Sequence, residues 1–298
     1  LGGLGLPILL SWIAGGVAAA GLAWIVGRVA LGLRSDYFAI ATLGISEIMI
    51  SILKNEDWLT RGVKNVTGLE RPVPYEVDLQ QSQWFIDLVI RLHSADPNQV
   101  GEEALQEMVM SASGVFVKLC YSGLFLTVLL LILGLAALAL NSPWGRMMRA
   151  IRDNEIAAAA MGKDVTNRHR QVFILGSAVI GVAGAMLTTL DGQFTPGSYI
   201  PLRFTFLIWV MVIIGGSGNN LGAVLGAFIT WFTWIEAEPV ALWAVENLNS
   251  FLSEENPLRQ HFIDVAPHLR MVVMGMILIL VLRFRPEGIL PERNTSRN

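Results

Sequence analysis

Residues 206–235 read FLIWVMVIIGGSGNNLGAVLGAFITWFTWI. The stretch is long enough to cross a membrane as one helix, since about 20 helical residues span about 30 Å of hydrocarbon. Yet GGSGNN at 215–220 interrupts it with residues that favour turns. Whether it is one span or a hairpin decides how the rest of the chain threads. The charges on either side of it give the answer.

The chain has 298 residues, of which 53% are hydrophobic and 15% charged. An ordinary soluble domain is about 25% charged, so the composition is that of an all-α polytopic membrane protein. A formal net charge of -3 offers nothing to nucleic acid. A single cysteine, Cys120, forbids an internal disulfide. The apolar runs are 4–27, 37–53, 119–140, 172–190, 206–235 and 266–282, and His93, His169, His261 and His268 are not buried deep in any of them. The first run begins close behind Leu1 with no charged region or cleavage site before it, so we read no signal peptide. An N-terminally truncated chain is the expectation. Arg270, near the start of the last run, can snorkel toward headgroups.

Basic short loops stay in the cytoplasm. Segment 28–36 holds Arg28 and Arg34 against Asp36. Segment 142–171 holds 6 Lys/Arg and 3 acids, and the tail 283–298 holds 4 Lys/Arg and 2 acids. These three are expected inside. Segment 54–118 has 6 Lys/Arg and 10 acids, and 236–268 has one Arg and 6 acids. These two are expected outside. Run 172–190 then ends outside, and so does 206–235, which excludes one helix through the latter. The chain must turn at GGSGNN, at membrane depth or at the inner face, between limbs at 206–214 and 221–235. Asn219 and Asn220 suit the turn because Asn tolerates left-handed geometry. A broken or re-entrant hairpin is tolerated only in protein or beside a wet cavity, so it belongs next to a pathway. Small residues at Gly16/Ala20, Ser177/Gly181 and Gly222/Gly226 are spaced for close helix packing.

The outer segment 54–118 contains QSQWFIDLVIRLH at 81–93. Its spacing puts Trp84, Leu88 and Arg91 on one helical face, with Phe85, Val89 and Leu92 beside them. Such a helix lies on the membrane surface or caps the outer mouth. EEALQEMV at 102–109 predicts a second short helix. The segment could dock a soluble partner or simply pack on the bundle. Asn65-Val66-Thr67 has the form of a sequon.

Glu47 is the one ionisable residue deep inside an apolar run. An acid at mid-span costs about 2.5–3.5 kcal/mol on insertion scales. It can bond a neighbouring helix, meet substrate, or carry a proton. Gly215-Gly216-Ser217-Gly218 matches a pattern of intramembrane serine proteases, but no apolar run supplies the activating histidine. The sequence holds no G-x-x-x-x-G-K-[ST], no H-E-x-x-H and no paired cysteines. We therefore expect no metal, no cofactor and no P-loop ATP site, which makes any ATPase a separate chain.

One basic stretch remains, RAIRDNEIAAAAMGKDV at 149–165. Four alanines favour helix and Gly162 suits its C-terminal end. At helical spacing Ile151, Glu155, Ala158 and Gly162 line one smooth face flanked by Arg149 and Arg152. A partner could approach that face closely, or the helix could lie on lipid headgroups.

Residues 155–162, EIAAAAMG, resemble the EAA loop of ABC importer permeases, the coupling helix that seats in a cleft of the ATPase. RSDYFAIATLGISEI (34–48), GRMMRAIRDNEIAAAAMG (145–162), GVAGAML (181–187), IIGGSGNNLGAVLGA (213–227) and RFRPEGIL (283–290) are similar to LivM-type permease subunits of branched-chain amino acid ABC importers. That resemblance implies a type II-like importer permease, with 1–298 as one transmembrane permease domain. It also implies a bacterial inner-membrane location. The implied partners are a second, different permease chain, two ATP-binding subunits, membrane lipid, and a periplasmic amino-acid-binding protein delivering leucine, isoleucine, valine or related amino acids. It makes 54–118 an extracytoplasmic insert, 142–171 the cytoplasmic coupling loop and 283–298 a cytoplasmic tail. Arg149, Arg152, Glu155, Ala158 and Gly162 would couple to the ATPase. Thr42, Glu47, Gly215, Gly216, Ser217 and Asn219 would line the translocation pathway. The acidic part 76–117 is longer than the family core, and the family has further upstream spans. The rival reading is an ion-coupled secondary transporter using Glu47.

Overall fold

A computed structural model of the chain describes residues 7–56, 65–93, 101–195, 197, 200–249 and 269–292. The start of the first apolar run, the stretch 250–268 with His261 and His268, and the tail beyond 292 lie outside the described residues. The chain forms two compact units, Leu1–Ser198 and Tyr199–Asn298.

In the first unit the elements follow in the order α1 (Ile8–Ala30), α2 (Ser35–Asn55), β1 (Val66–Thr67), α3 (Glu76–Gln81), α4 (Gln83–Leu92), α5 (Glu102–Asn141), α6 (Pro143–Asp153), α7 (Glu155–Ala160), α8 (Val165–Asp191) and β2 (Gln193–Phe194). Helices α1, α2, α5 and α8 are long and apolar enough to cross a membrane. Most of their apolar surface is open, as lipid-facing or partner-facing surface must be.

The unit is organised by the antiparallel pair α1 and α8. Trp12 at one end of α1 meets Thr189, Gly16 in the middle meets Ala178 and Val182, and Gly27 at the other end meets Arg170 and Phe173. The pairing runs the length of both helices because the facing residues are small. A Cβ on Gly181 would stand 2.5 Å from Ala19 Cβ and 2.7 Å from Gly15 O. The pair is pinned where Trp12 Nε1 donates to Thr189 Oγ1 at 2.9 Å. The Arg28 end of α1 and the Arg168–Arg170 end of α8 therefore lie together.

At the far end α8 stops on Gly192, at φ 63, in the left-handed region that glycine adopts without strain. The chain then forms β2, which pairs antiparallel with β1. Arg71 lies over this helix end, ion-paired to Glu76 at 3.3 Å. The base of the 54–118 segment is thereby stitched to the end of α8 opposite the basic loop.

The 54–118 segment departs from expectation at its second helix. Residues 102–109 are not a separate helix but the first turns of α5, a 40-residue helix. At 1.5 Å per residue α5 is about 60 Å long, twice the hydrocarbon thickness. Nothing between 102 and 141 breaks it, because glycines alone do not stop a helix. Helix α4 takes the packed alternative among its expected readings. Its Phe85 and Val89 are buried against Val109, Val117 and Tyr121 of α5, which with Ser113 form a four-residue-spaced stripe, together with Val73 and Leu79. Trp84 and Leu92 stay exposed. The insert is a small helical cap built on the extension of α5.

The second unit contains α9 (Pro201–Gly215), α10 (Asn220–Asn249) and α11 (Leu269–Phe284). The chain does turn at GGSGNN. Both limbs are longer than expected, 15 and 30 residues against the limbs at 206–214 and 221–235, because the helices continue through polar residues at their far ends. Gly215 abuts Gly222, and Gly226 abuts Met211 O, so α9 and α10 cross in backbone contact. Leu207, Val210, Ile214, Trp234 and Met274 form the core that joins α11 to the hairpin.

Replacing Gly181 by Leu forces α1 and α8 apart and should cost about 1–3 kcal/mol through overpacking. Gly184→Leu, where a Cβ meets nothing within 4 Å, should cost little. Thermal unfolding in detergent reads the difference, and equal midpoints for the two variants would show that the helix crossing does not hold this unit.

Candidate functional site

The basic loop folds into a bent pair of helices, α6 and α7. Ser142 starts α6, its Oγ accepting from Gly145 N at 3.4 Å, with Pro143 behind it. Asn154 ends α6 in an extended conformation (φ -155°, ψ 97°) and starts α7, its Oδ1 accepting from Ala157 N at 2.9 Å. Gly162, at φ 77, closes α7, where Gly162 N bonds Ala159 O at 2.9 Å and Lys163 N bonds Ala158 O at 3.2 Å. Asp164 caps α8 through Asn167 N at 3.0 Å.

The bend overturns the expected face. Ile151 and Glu155 belong to different helices, so a single helical spacing does not join them. Ile151, Ala158 and Val165 instead pack inward on one another, with Met147 and Met148 around them. Ala158 is therefore part of what holds the bend, not part of the surface it presents. Glu155 and Gly162 are exposed. The large apolar side chains turned outward are Ile156, 84% exposed, and Met161, 80% exposed. Sequence reasoning missed both. The available signal was that they are the two large apolar residues of 155–162.

The arginines also divide. Arg149 Nη1 donates to Leu140 O at 3.0 Å and Arg146 Nη1 to Asn141 O at 3.3 Å, so both tie α6 back onto the last carbonyls of α5. Arg152 pairs with its neighbour Asp153 at 3.1 Å on the open surface, a contact of negligible stability. Trp144 Nε1 donates to Gln171 Oε1 at 3.0 Å, joining α6 to α8. The bent pair is thus fastened to the ends of two long helices.

The other candidate residues stand in two places. Thr42 and Glu47 lie on α2, in the first unit. Thr42 Oγ1 is within 3.0 Å of Phe38 O and Ala39 O, bonding its own helix. Glu47 is exposed. Gly215, Gly216, Ser217 and Asn219 form the α9–α10 turn in the second unit. The left-handed positions there are Gly216 (φ 114) and Gly218 (φ 93), not the asparagines. Asn219 instead caps α10, its Oδ1 accepting from Leu221 N at 3.0 Å and Gly222 N at 3.3 Å. The segment after α11 returns to the same turn, where Ile289 N and Leu290 N bond Ile214 O and Gly215 O at 2.9 Å.

Residues 2–282 match the family described as "Branched-chain amino acid transport system / permease component". A "Probable branched-chain amino acid transport permease protein LivM" of Methanocaldococcus jannaschii is 27% identical over 155 residues, 52% of this chain and 41% of that protein. A "High-affinity branched-chain amino acid transport system permease protein LivM" of Salmonella typhimurium is 24% identical over 281 residues, 93% of this chain and 56% of that protein. Its Escherichia coli namesake is 23% identical over 281 residues, again 93% and 56%. The chain spans about half the length of these curated relatives. No solved structure matches it. With nearly its full length matched, this chain belongs to the permease-component family of branched-chain amino acid transport systems.

Proposed function

We propose that this chain is a membrane-spanning permease subunit of an ATP-driven importer for branched-chain or related amino acids, moved by separate ATPase chains through residues 145–165. The observation that carries the reading is the bent α6–α7 element. It sits at the basic end of α8 and turns Ile156 and Met161 outward. Family membership supplies the transport class. The lack of a P-loop in the sequence fits ATP hydrolysis on a partner.

Charge and geometry support one orientation. The basic ends of α1 and α8 lie together, and the acidic segment joins the opposite end of α8. Basic loops remain inside, so 28–36, 142–171 and the 283–298 tail face the cytoplasm. The 54–118 insert faces the other side of a bacterial inner membrane, where a periplasmic amino-acid-binding protein would deliver substrate. A second permease chain completes the pathway. We assign pathway roles to the turn 215–219, at the cytoplasmic end of its own unit, and separately to Thr42 and Glu47 on α2.

The mechanism follows from how α7 is held. An ATPase groove takes Ile156 and Met161, with Glu155 at its edge for a cation or backbone amides. When the ATPases close, the groove moves. The Ile151–Ala158–Val165 core makes α6, α7 and the start of α8 one piece. Arg149 passes the motion to α5, and Trp144 passes it to α8. Helix α1 follows because its crossing with α8 has no slack. Access switches by the rocking of these helices.

Ile156→Asp with Met161→Asp should cut ATPase co-purification and amino-acid uptake by about tenfold or more while the chain still inserts, as loss of two interface anchors does. Glu155→Lys should act in the same direction. Retained ATPase association and uptake in the double variant would sink the coupling assignment. At Gly162 conformation matters more than space, since a Cβ there meets nothing within 4 Å. Gly162→Asn should keep most uptake, and Gly162→Val, strained at φ 77 by about 1–2 kcal/mol, should lose it. Equal uptake by these two would refute that account.

A further inference from the structure

The α9–α10 turn is closed from outside by the last described residues of the chain. After α11, Pro286 prevents the helix from continuing, and Gly288, at φ 79, reverses the backbone. Residues 289–292 then run back along the turn. Ile289 N and Leu290 N, each at 2.9 Å, satisfy the carbonyls of Ile214 and Gly215. Carbonyls at the end of a helix have no partner within it, and here the C-terminal segment provides one.

The contact admits no side chain. A Cβ on Gly288 would strike the N and Cα of Gly216, and a Cβ on Gly216 would strike Leu290 O. Backbone lies on backbone, with no flexible group to yield. Asn219 adds a bond of its own. While its Oδ1 caps α10, its Nδ2 donates to Pro291 O at 3.4 Å. Glu292 reaches the same loop, its carboxylate 2.9 Å from where a Cβ on Gly218 would sit.

We infer that residues 285–292 are a strap that fixes the α9–α10 turn to the end of α11. The end of α9, the turn, the start of α10 and the end of α11 then move as one body during transport. Gly288 and Asn219 are positioning residues for translocation. Their backbone and side-chain bonds act by setting where the turn stands. The transport part of this inference rests on the reading given under Proposed function, but the strap itself can be tested without it.

The test combines amide hydrogen exchange with leucine uptake, on the full-length chain in its assembled complex. In the parent, the Ile289 and Leu290 amides should exchange about a hundredfold or more slower than unstructured chain. Gly288→Val should bring them close to the unstructured rate and abolish uptake. Because that variant could fail to insert, Asn219→Asp is the second arm. Aspartate keeps the oxygen that caps α10, but it cannot donate to Pro291 O and it repels Glu292. Its α10 amides should stay protected while the 289–290 amides exchange several-fold faster. Its maximal uptake rate should fall with little change in KM and with the ATPase still bound. Exchange of the parent's 289–290 amides at the unstructured rate would overturn the strap. So would parent-like exchange and uptake in both variants. If the parent transports no amino acid, the proposed function fails and the exchange arm alone decides the strap.

Discussion

The structure of the first unit depends on one close approach, the antiparallel crossing of α1 and α8. In hydrocarbon there is no hydrophobic drive for one apolar helix to leave lipid for another, so association rests on tight packing and on hydrogen bonds. Gly15, Gly16 and Ala19 facing Ala178, Gly181, Val182 and Ala185 supply the packing. Trp12 and Thr189 supply the bond, which also fixes how far one helix can slide along the other. Two further parts of the unit hang on the two ends of α8. One end carries the bent α6–α7 element. The other carries β2 and, through β1 and Arg71, the cap on α5.

Features set by local chemistry were legible in the sequence. The interruption at GGSGNN is a turn, and Gly16, Gly181, Gly222 and Gly226 sit in close helix contacts as their spacing implied. What escaped was set by neighbours distant in sequence. The charge pattern at 102–118 reads as a soluble loop with a short helix, yet those residues continue a membrane helix because the cap covers their stripe at Val109, Ser113, Val117 and Tyr121. Ala158 was expected outward because a single helical spacing lines it up with Ile151, Glu155 and Gly162. Only the bend at Asn154, an N-cap signal hidden in the middle of a helical stretch, decides which alanine faces the core. Asn219 was expected to tolerate a left-handed turn and instead caps α10, since the adjacent glycines already take the positive φ values.

The second unit uses the same physics in a different geometry. Its helices also meet through glycine, from the turn into the first turns of α10. A glycine pair in mid-span permits close packing of two rods. Gly216 and Gly288 instead let two non-helical strands of backbone interlock at a helix end, where carbonyls would otherwise lack partners. The RFRPEGIL and IIGGSGN stretches, some 70 residues apart in the sequence, are therefore two halves of one structural feature. Neither half specifies the other by spacing, so their partnership could be found only in three dimensions.

Exposure carries opposite meanings in the two solvents this chain meets, and that difference singles out the outward face of α7. Leu130, Leu131, Leu135 and Leu138 on α5 are as open as many surface lysines, and in lipid they need no partner. Ile156 and Met161 are more exposed still, but they stand on a short helix between Asn154 and Gly162, flanked by Arg152, Asp153, Lys163 and Asp164. A helix with such neighbours lies in water or among headgroups, and there two open apolar side chains of this size are surface that burial would stabilise by about 1.5–3 kcal/mol each. Glu47 is the mirror case, a group at home in water but standing open on an apolar span. The unfinished places of this molecule are thus the ones where side chain and surrounding solvent disagree. Among the described residues α7 and α2 are two such places, where the chemistry calls for something beyond the chain itself.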